Sequence, residues 1–324
     1  MANARASATR CSGGTPTSRV LPTPGGFTGI TTTCCAVSTF GSATTCRSCQ
    51  VGPSGPHRCP AQWQRSRAGS LRPVRVRKVQ EKRSWAIGLA VVIIKPTLLA
   101  TTKREWIGGE DNLPADQGCV IALNHLSHLD PITSALFVYD HGRIPRYLAK
   151  DGLFKNKALG FFLRQAGQIP VHRETPGAVG AYESAVAAVR RGEAVIIYPE
   201  ATITRDPEMW PMRGKSGAAR IALETGCPVI PVGQWGAQEI LPPYTKKPLV
   251  FPRKKIVARV GPPVDLGDLA SRQPRSADVI NEATDRIMAA ITQQVELIRN
   301  EEAPDERYDM RIHGDRFKNR KKAS

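Results

Sequence analysis

The chain has 324 residues, 41% of them hydrophobic, which is enough to bury a full core in one large domain or two smaller ones. Its formal net charge is +18, and this charge lies at the two ends. Residues 1–83 carry 13 Lys/Arg against one acid, residues 311–324 carry 6 against one, and residues 84–310 carry 27 against 26. A nearly neutral middle, with few aromatic residues in the basic ends, argues against a nucleic-acid partner. The basic ends favour an anionic membrane surface, although a solvated charge run has the same composition.

Residues 1–80 are predicted to form a disordered or non-functional N-terminal extension. The first 70 residues are rich in Ser, Thr, Gly, Pro, Arg and Ala and lack apolar periodicity, so they bury too little apolar surface to offset ordering entropy. The segment has no continuous apolar stretch followed by a cleavage site, which argues against a secretory signal. Its Arg- and Ser-rich composition also fits a transit peptide. The composition resembles translated GC-rich DNA, and a start codon assigned too far upstream would explain it.

Six of the eight cysteines precede residue 60, and only Cys119 and Cys227 follow it. A domain with two isolated cysteines is typical of a reduced, cytosolic protein and not of a disulfide scaffold. The pair Cys46-x-x-Cys49 has no second pair at zinc-finger or zinc-ribbon spacing, which argues against a zinc site there.

The segment 84–107 is predicted to be a helix that associates with the membrane interface. Its apolar run, Trp85–Ile94, has ten residues, about half of what a bilayer span needs. Basic residues flank the run and Trp106 follows it, as in helices whose apolar side enters the headgroup region. A short helix packed on the domain core is the alternative. We divide the rest of the chain into a main domain, 108–303, and a basic C-terminal tail, 304–324.

From residue 118 onward, short apolar runs alternate with segments of helical spacing. This alternation predicts an α/β fold in which a mixed, largely parallel sheet is flanked by helices. A last amphipathic helix is predicted over residues 277–300. The predicted strands are CVIAL, RYLA, QIPV, AVIIYP, PVIPVGQW and KIVARVG, and the predicted helices between them are PITSALFVYD, KALGFFLRQAG, PGAVGAYESAVAAVRRG and GKSGAARIALETG.

The stretch VIALNHLSHLDP, from Val120 to Pro131, places two histidines and an aspartate between a predicted strand and a predicted helix. Open α/β sheets bind their ligands at such junctions. His125 is a candidate general base, and Asp130, five residues later, can fix the tautomer of its ring. His128 has no acid at that spacing and is interpreted as a turn residue. Asp130 before proline also fits a helix N-cap, which leaves its role open at this point.

Four blocks resemble, in order, the motifs of the glycerolipid acyltransferases, and especially of the 1-acylglycerol-3-phosphate acyltransferases. NHLSHLD is similar to the family's His-x4-Asp signature, GQIPVHR to its second motif, YPEATITRD to its third and PVIPVGQWG to its fourth. RYLAKDGLF and RGKSGAARIA also match stretches of the family, so the resemblance covers roughly residues 85–265.

The resemblance implies a role for each motif. His125 is the base and Asp130 orients it, while Arg173 of the second motif binds the phosphate of the acceptor. Glu200 and Thr202 of the third motif contact the phosphate and the rest of the acceptor. Arginine suits the phosphate because its planar guanidinium donates two parallel hydrogen bonds, and holding the phosphate also positions the nearby hydroxyl.

Two positions depart from the third motif as the family usually has it. The usual glycine is Ala201, which puts a close backbone approach in question if that position needs a positive φ. The usual arginine is Ile203, so a cation at this loop would have to come from Arg205 or Lys215. Lys150, in the stretch RYLAKDGLF, completes the predicted substrate-binding residues.

These residues predict an acyltransferase that moves a fatty acyl group from an acyl-CoA or acyl-carrier-protein thioester to 1-acylglycerol 3-phosphate, giving phosphatidic acid. A thioester is already activated, so the reaction needs a base but no covalent intermediate, cofactor or metal. The absence of a G-x-S-x-G elbow disfavours a nucleophilic hydrolase. The expected partners are the lysophospholipid, the thioester donor, which an acyl carrier protein can present, and an anionic membrane surface. The expected location is the cytoplasmic face of the cell membrane, peripheral or monotopic.

Two alternatives stay open at this point. An acyltransferase for another acceptor, such as glycerol 3-phosphate or a glycolipid, would use the same motifs. A metal-dependent hydrolase would use His125, His128 and Asp130 as ligands, but the sequence offers no third, distant ligand within a recognisable partner motif.

Overall fold

The structure is a computed structural model that describes residues 81–109, 112–171, 179–245 and 247–315. The predicted extension at residues 1–80 and the predicted phosphate ligand Arg173 lie outside the described residues. The strands are β1 (Thr102–Ile107), β2 (Cys119–Leu123), β3 (Arg146–Lys150), β4 (Ile169–Val171), β5 (Ala194–Ile197), β6 (Val229–Trp235) and β7 (Lys254–Val260). The helices are α1 (Trp85–Thr101), α2 (Asp130–Asp140), α3 (Asp151–Lys155), α4 (Lys157–Gln165), α5 (Val179–Arg190), α6 (Gly217–Thr225), α7 (Ala237–Ile240), α8 (Gly267–Ala270), α9 (Ala277–Arg299) and α10 (Met310–His313).

The seven described strands form one sheet in the order β1-β7-β6-β2-β5-β3-β4. Neighbouring strands are parallel, apart from β6 and β7, which run antiparallel. Parallel strands need crossover connections, and the alternating helices supply them. The predicted α/β fold with a mixed, largely parallel sheet is therefore confirmed, and each of the six predicted strands is present.

Helices cover both faces of the sheet, and β2 shows the consequence for the sequence. All five residues of β2 are buried. Val120 and Ala122 contribute to a core shared with α5, α6 and α9, whereas Ile121 and Leu123 contribute to a second core shared with Phe137 of α2. Side chains alternate between the two faces of a strand, so a strand covered on both faces is an unbroken apolar run.

The N-terminal helix is shorter than predicted. α1 begins at Trp85, behind a Ser84 cap, and ends at Thr101. The prediction of a helix over 84–107 is wrong for residues 102–107, which form β1 and pair in parallel with β7. The segment TKREWI contains β-branched and aromatic residues that suit a strand. Its partner lies far along the chain, so the local pattern does not reveal the pairing.

Asp140, at the end of α2, attaches α1 and β1 to the rest of the domain. Its buried carboxylate accepts hydrogen bonds from Lys95 Nζ at 2.8 Å, Arg104 Nη1 at 3.0 Å and Trp106 Nε1 at 3.0 Å. Three donors offset the cost of removing this charge from water. α1 is thus held against the domain, and none of the described helices has the length and apolar composition needed to span a bilayer.

Arg143 is a cation with only 1% of its surface exposed, and it joins three connecting segments. Its Nη1 donates to the carbonyl oxygens of Pro114 at 2.5 Å and Gln117 at 2.9 Å, and its Nη2 donates to that of Gly192 at 2.6 Å. Its Nε donates to Glu81 Oε1 at 2.8 Å. The planar guanidinium can serve these divergent acceptors at once, which an ammonium group cannot.

Replacing Arg143 with methionine should lower the free energy of unfolding by about 3–5 kcal/mol, because buried carbonyls and Glu81 lose their donor. Arg143→Lys should lose less, since the charge is kept without the planar donors. Arg190→Met, at an exposed ion pair with Glu224, serves as the control and should change stability by about 0.5 kcal/mol or less. Urea unfolding followed by circular dichroism compares the three variants. An Arg143→Met protein as stable as the control would contradict this role.

Candidate active site

The turn after β2 carries the candidate catalytic residues, and a pair of amide side chains fixes where it leaves the sheet. Asn124 Nδ2 donates to the carbonyl of Gln234 at 3.1 Å, and the N–H of Gln234 donates to Asn124 Oδ1 at 2.8 Å. Gln234 Nε2 also donates to the carbonyl of Asn124 at 2.6 Å. Both residues are buried. The turn therefore starts between the carboxyl end of β2 and β6, where open α/β sheets place their ligand crevices.

One carboxylate oxygen organises the turn. Asp130 Oδ2 lies 2.8 Å from Nδ1 of His125 and also accepts the N–H groups of Leu126 at 2.5 Å and Ser127 at 2.8 Å. Because a backbone N–H can only donate, this oxygen is an acceptor, and the ring nitrogen facing it must carry a proton. Nε2 of the neutral ring then holds the lone pair. Asp130 is fully buried, and the ring of His125 is 16% exposed.

The helix-cap interpretation of Asp130 does not match this geometry. Asp130 is the first residue of α2, the cap position is Leu129, and no side chain caps the helix there. The aspartate instead bonds residues that precede the helix. His128 is exposed on the same turn, as a turn residue would be. Within the described part of the chain, no three His, Cys, Asp or Glu side chains converge as a metal site would require.

A buried hydroxyl network lies behind the imidazole. The Tyr198 ring stacks on the His125 ring, with centroids 4.4 Å apart and an interplanar angle of 24°. Its hydroxyl lies 2.8 Å from Ser134 Oγ, which in turn lies 2.7 Å from the hydroxyl of Tyr147. Ser134 Oγ also donates to the carbonyl of Asp130 at 2.7 Å. Burial raises the pKa of both tyrosines, so the phenols stay protonated and position the histidine as neutral groups.

Glu200 holds the turn from its other side. Its Oε1 accepts the N–H of His125 at 2.8 Å, and its Oε2 accepts the N–H of Met212 at 3.1 Å. The side chain is buried, and burial raises the pKa of its carboxyl to about 8, against the lowering effect of the two N–H donors. Both oxygens are engaged with the backbone, so Glu200 joins the His125 turn to the third-motif loop.

The two departures in the third motif have structural explanations. Ala201 has a φ of 58°, so the chain adopts the left-handed conformation here that glycine would adopt without strain. Met209 and Tyr244 also have positive φ, so three of the four described non-glycine residues with this strain lie around the site. Ile203 is 3% exposed, which makes this position part of the packing and not a source of positive charge.

Arg205 is the cation that the loop itself provides. Its guanidinium carbon lies 4.2 Å from the centroid of the Tyr244 ring, and its Nε lies 3.1 Å from Asp315 Oδ1. The hydroxyl of Tyr244 donates to the carbonyl of Ile203 at 2.8 Å. The preceding residue, Thr204, donates its N–H to the carbonyl of His125 at 2.8 Å. The residue that precedes Arg205 is therefore hydrogen-bonded to the turn that carries His125.

The structure describes only part of the other residues that the sequence predicts to bind substrate. Thr202 is half-buried in the third-motif loop, next to Ile203. Lys215 is exposed at the end of the loop, and its N–H donates to the carbonyl of Pro199 at 2.8 Å. Lys150 is the last residue of β3, and its side chain, like the whole of Arg173, lies outside the part of the chain that the structure describes.

Sequence reasoning missed the groups that support the histidine. Tyr198 is the first residue of the block YPEATITRD and Asn124 the first of NHLSHLD, so membership of a motif was the available signal. Ser134, Tyr147 and Tyr244 lie outside the four motifs, although Tyr147 belongs to the matching stretch RYLAKDGLF. They reach the site from α2, β3 and the loop after β6, and only the packing of these elements brings them together.

Comparison with known proteins identifies relatives of this chain. A protein-family model described as Acyltransferase matches residues 106–235. A 1-acyl-sn-glycerol-3-phosphate acyltransferase of Bacillus subtilis is 34% identical over 161 residues, which cover 50% of this chain and 74% of that protein. The chloroplastic 1-acyl-sn-glycerol-3-phosphate acyltransferase BAT2 of Brassica napus is 33% identical over 138 residues, which cover 42% of this chain and only 38% of that protein.

A solved structure supports the fold independently. The 1-acyl-sn-glycerophosphate acyltransferase PlsC of Thermotoga maritima superimposes with a TM-score of 0.50 at 20% identity, covering 67% of this chain and 81% of that chain. At this identity the likeness establishes the architecture alone. The identity to the Bacillus protein over most of its length extends the relation to the sequence. The chain belongs to the acyltransferase family that these 1-acyl-sn-glycerol-3-phosphate acyltransferases represent.

Proposed function

We propose that this protein transfers a fatty acyl group from a coenzyme A or acyl-carrier-protein thioester to the free hydroxyl of 1-acylglycerol 3-phosphate, giving phosphatidic acid. The observation that carries the proposal is the bonding of His125 Nδ1 to a buried Asp130 oxygen already occupied by two backbone N–H groups. This arrangement favours the tautomer that carries its proton on Nδ1, which leaves Nε2 as the basic atom of the neutral ring. The names of the relatives support this substrate, since five of them are called 1-acyl-sn-glycerol-3-phosphate acyltransferases.

The chemistry follows from that tautomer. Nε2 of His125 takes the proton of the acceptor hydroxyl as the oxygen attacks the thioester carbonyl. The negative charge of Asp130 stabilises the imidazolium that forms, as the buried aspartate of a serine-protease triad does. The carbon–sulfur bond then breaks, and the leaving thiolate takes the proton from the imidazolium. Histidine is neutral again at the end of the cycle, and no covalent enzyme intermediate is needed.

Binding of the acceptor phosphate is assigned to the residues that the sequence predicted for it. Arg173 and Arg205 are proposed to hold the phosphate, with Lys150, Lys215 and Thr202 contributing around it. The bond between the backbone of Thr204 and the carbonyl of His125 supports this for Arg205, because it holds the neighbouring residue of the chain against the catalytic turn. A bound phosphate there would place the acceptor's hydroxyl close to the imidazole.

Membrane association is assigned to α1. Leu89, Val92 and Ile93 are 46%, 70% and 59% exposed and recur at the spacing of one helix side, whereas Ala86 and Leu98 are buried against the domain. An apolar side of this kind suits a helix that lies in the headgroup region. We propose a peripheral or monotopic association with the cytoplasmic face of the membrane, where the acceptor lipid resides.

Four variants test the catalytic pair. His125→Ala should reduce the rate by at least ~10²–10⁴, the usual scale of general base catalysis, while the exposed His128→Ala on the same turn is the matched control and should cost little. Asp130→Asn should lower the rate steeply, because an amide cannot stabilise the imidazolium. Asp130→Ala should lower both the rate and the melting temperature, since two backbone N–H groups lose their acceptor. Release of free thiol from an acyl thioester measures the rate.

The outcomes separate the chemical role from a structural one. An active, normally folded Asp130→Asn enzyme would reduce the aspartate to a structural element of the turn. A His125→Ala enzyme with the rate of the control would remove the proposed mechanism. Loss of the wild-type rate in EDTA, restored by zinc or manganese, would favour the metal-dependent alternative.

Glu200 predicts a pH dependence of stability. The pKa of its carboxyl is raised from 4.5 to about 8 by burial, so between these values the folded chain holds a proton that the unfolded chain has released. The contribution of Glu200 to the free energy of unfolding is therefore fully present below pH 4.5 and is lost as the pH rises through about 8. Each pKa unit of difference corresponds to about 1.4 kcal/mol.

Urea unfolding of the wild type and of Glu200→Gln, between about pH 5 and pH 9, checks this dependence. The wild-type free energy of unfolding, relative to the glutamine variant, should fall as the pH rises and then level off. Parallel pH profiles for the two proteins would mean that Glu200 is ionised throughout, with its two N–H donors outweighing burial.

Arg173→Ala and Arg205→Ala should each raise the KM for a phosphate-bearing acceptor while leaving that for the thioester nearly unchanged. Loss of one charge-assisted contact corresponds to about 1.5–3 kcal/mol, or roughly 10- to 100-fold. Arg220→Ala, on the exposed side of α6, is the matched control. Steady-state kinetics with each substrate varied separately gives both constants, and equal effects on the two substrates would remove the phosphate role.

A further inference from the structure

Among the residues that the structure describes, the exposed large apolar side chains outside helices lie in the loop between α7 and β7. This loop, residues 241–253, is called the β6–β7 loop here. Leu249 is 54% exposed and Phe251 is 76% exposed. A single exposed apolar side chain is ordinary, whereas exposed apolar side chains grouped together and rimmed by polar residues are typical of a protein or membrane contact.

The sequence around these side chains is uniformly basic. The tip reads KPLVFPRKK from Lys247 to Lys255, and no Asp or Glu occurs between residues 240 and 264. Lys247 is exposed, and Lys254 follows at the start of β7. Lys255 is neutralised by Glu105 of the neighbouring strand, at 2.6 Å. An apolar tip flanked by lysines suits an anionic bilayer surface, because the apolar side chains can contact the acyl chains while the lysines contact the phosphates above them.

Hydrogen bonds hold the loop in a fixed shape beside α1. The N–H of Leu249 donates to the carbonyl of Ile240 at 2.6 Å, which closes the loop on itself. Arg253 Nη2 donates to the carbonyls of Leu99 and Thr102 at 2.6 and 2.7 Å, at the end of α1. The loop is therefore hydrogen-bonded to the helix that exposes Leu89, Val92 and Ile93.

The same loop is also bonded to the catalytic turn. Ser127 Oγ donates to the carbonyl of Leu241 at 2.7 Å, and Tyr244 donates to the carbonyl of Ile203 at 2.8 Å. Ser127 itself donates its N–H to Asp130. A continuous set of contacts thus runs from the exposed tip of the loop to the residues that orient the histidine.

We propose that the β6–β7 loop is a second membrane contact, which inserts Leu249 and Phe251 among the lipid headgroups while Lys247 and Lys254 meet lipid phosphates. Contact through α1 alone would leave the protein free to rotate about the helix axis on the membrane. A second contact through the β6–β7 loop would prevent this rotation. The two contacts would hold the catalytic turn in a fixed orientation toward the leaflet that supplies the acceptor. The inference rests on the proposed function only in taking the acceptor to be a membrane lipid.

The experiment uses the full chain and vesicles of phosphatidylcholine with or without phosphatidylglycerol. Leu249→Ser/Phe251→Ser should weaken partition to phosphatidylglycerol vesicles by about tenfold or more, because two apolar side chains no longer leave water. Lys247→Gln/Lys254→Gln should weaken partition only where phosphatidylglycerol is present. Ile312→Ser is the matched control, since Ile312 is 78% exposed in α10, outside the loop.

Activity separates orientation from mere attachment. The Leu249→Ser/Phe251→Ser protein should lose acyl transfer to 1-acylglycerol 3-phosphate embedded in vesicles, yet keep wild-type transfer to a short-chain, monomeric analogue. Leu89→Ser/Val92→Ser/Ile93→Ser reports the contribution of α1 in the same assays.

The proposal would be overturned if Leu249→Ser/Phe251→Ser partitioned to vesicles as strongly as Ile312→Ser. It would also be overturned if the wild type bound equally well to vesicles with and without phosphatidylglycerol. A loop-dependent pull-down of a soluble protein, with unchanged vesicle partition, would overturn it in favour of a protein partner. A wild type that transfers no acyl group to any acceptor, but whose partition still depends on the loop, would remove the proposed function and leave the membrane contact standing.

Discussion

The site depends on one buried carboxylate oxygen that accepts three N–H groups. Asp130 Oδ2 bonds Leu126, Ser127 and the imidazole of His125, so it sets the shape of the turn and the tautomer of the base together. A carboxylate is costly to bury, and three donors on one of its oxygens offset part of that cost. A helix-capping aspartate would face the first turn of its own helix, whereas this one faces back toward β2.

The rest of the site is arranged around that constraint by backbone contacts. Glu200 accepts the N–H of His125, and the N–H of Thr204 donates to the carbonyl of His125, so the third-motif loop is hydrogen-bonded to both backbone groups of this residue. In this loop, Ala201 has the left-handed backbone conformation. Strain of this kind persists only where surrounding contacts fix the chain. The contacts that fix this loop are the same ones that fix His125.

Hydrogen bonds connect the proposed membrane contacts to the candidate active site. Arg253 fastens the β6–β7 loop to the end of α1, and Ser127 and Tyr244 fasten it to the catalytic turn and the third-motif loop. Rigid connections would matter for the proposed reaction, because the long acyl chains of the proposed substrates prefer the bilayer. A fixed geometry between the apolar contacts and the imidazole would hold the reacting hydroxyl at a constant depth.

The sequence by itself determined the alternation of strands and helices, because buried parallel strands are short apolar runs and their crossover helices have helical spacing. It also determined the family and the pair His125 and Asp130, since both lie within one short turn. Only the tertiary structure decided that residues 102–107 form a strand, because their partner β7 lies far along the chain. It alone placed Tyr198 on the imidazole and made Ile203 a packing residue, because such contacts join segments that no local pattern relates.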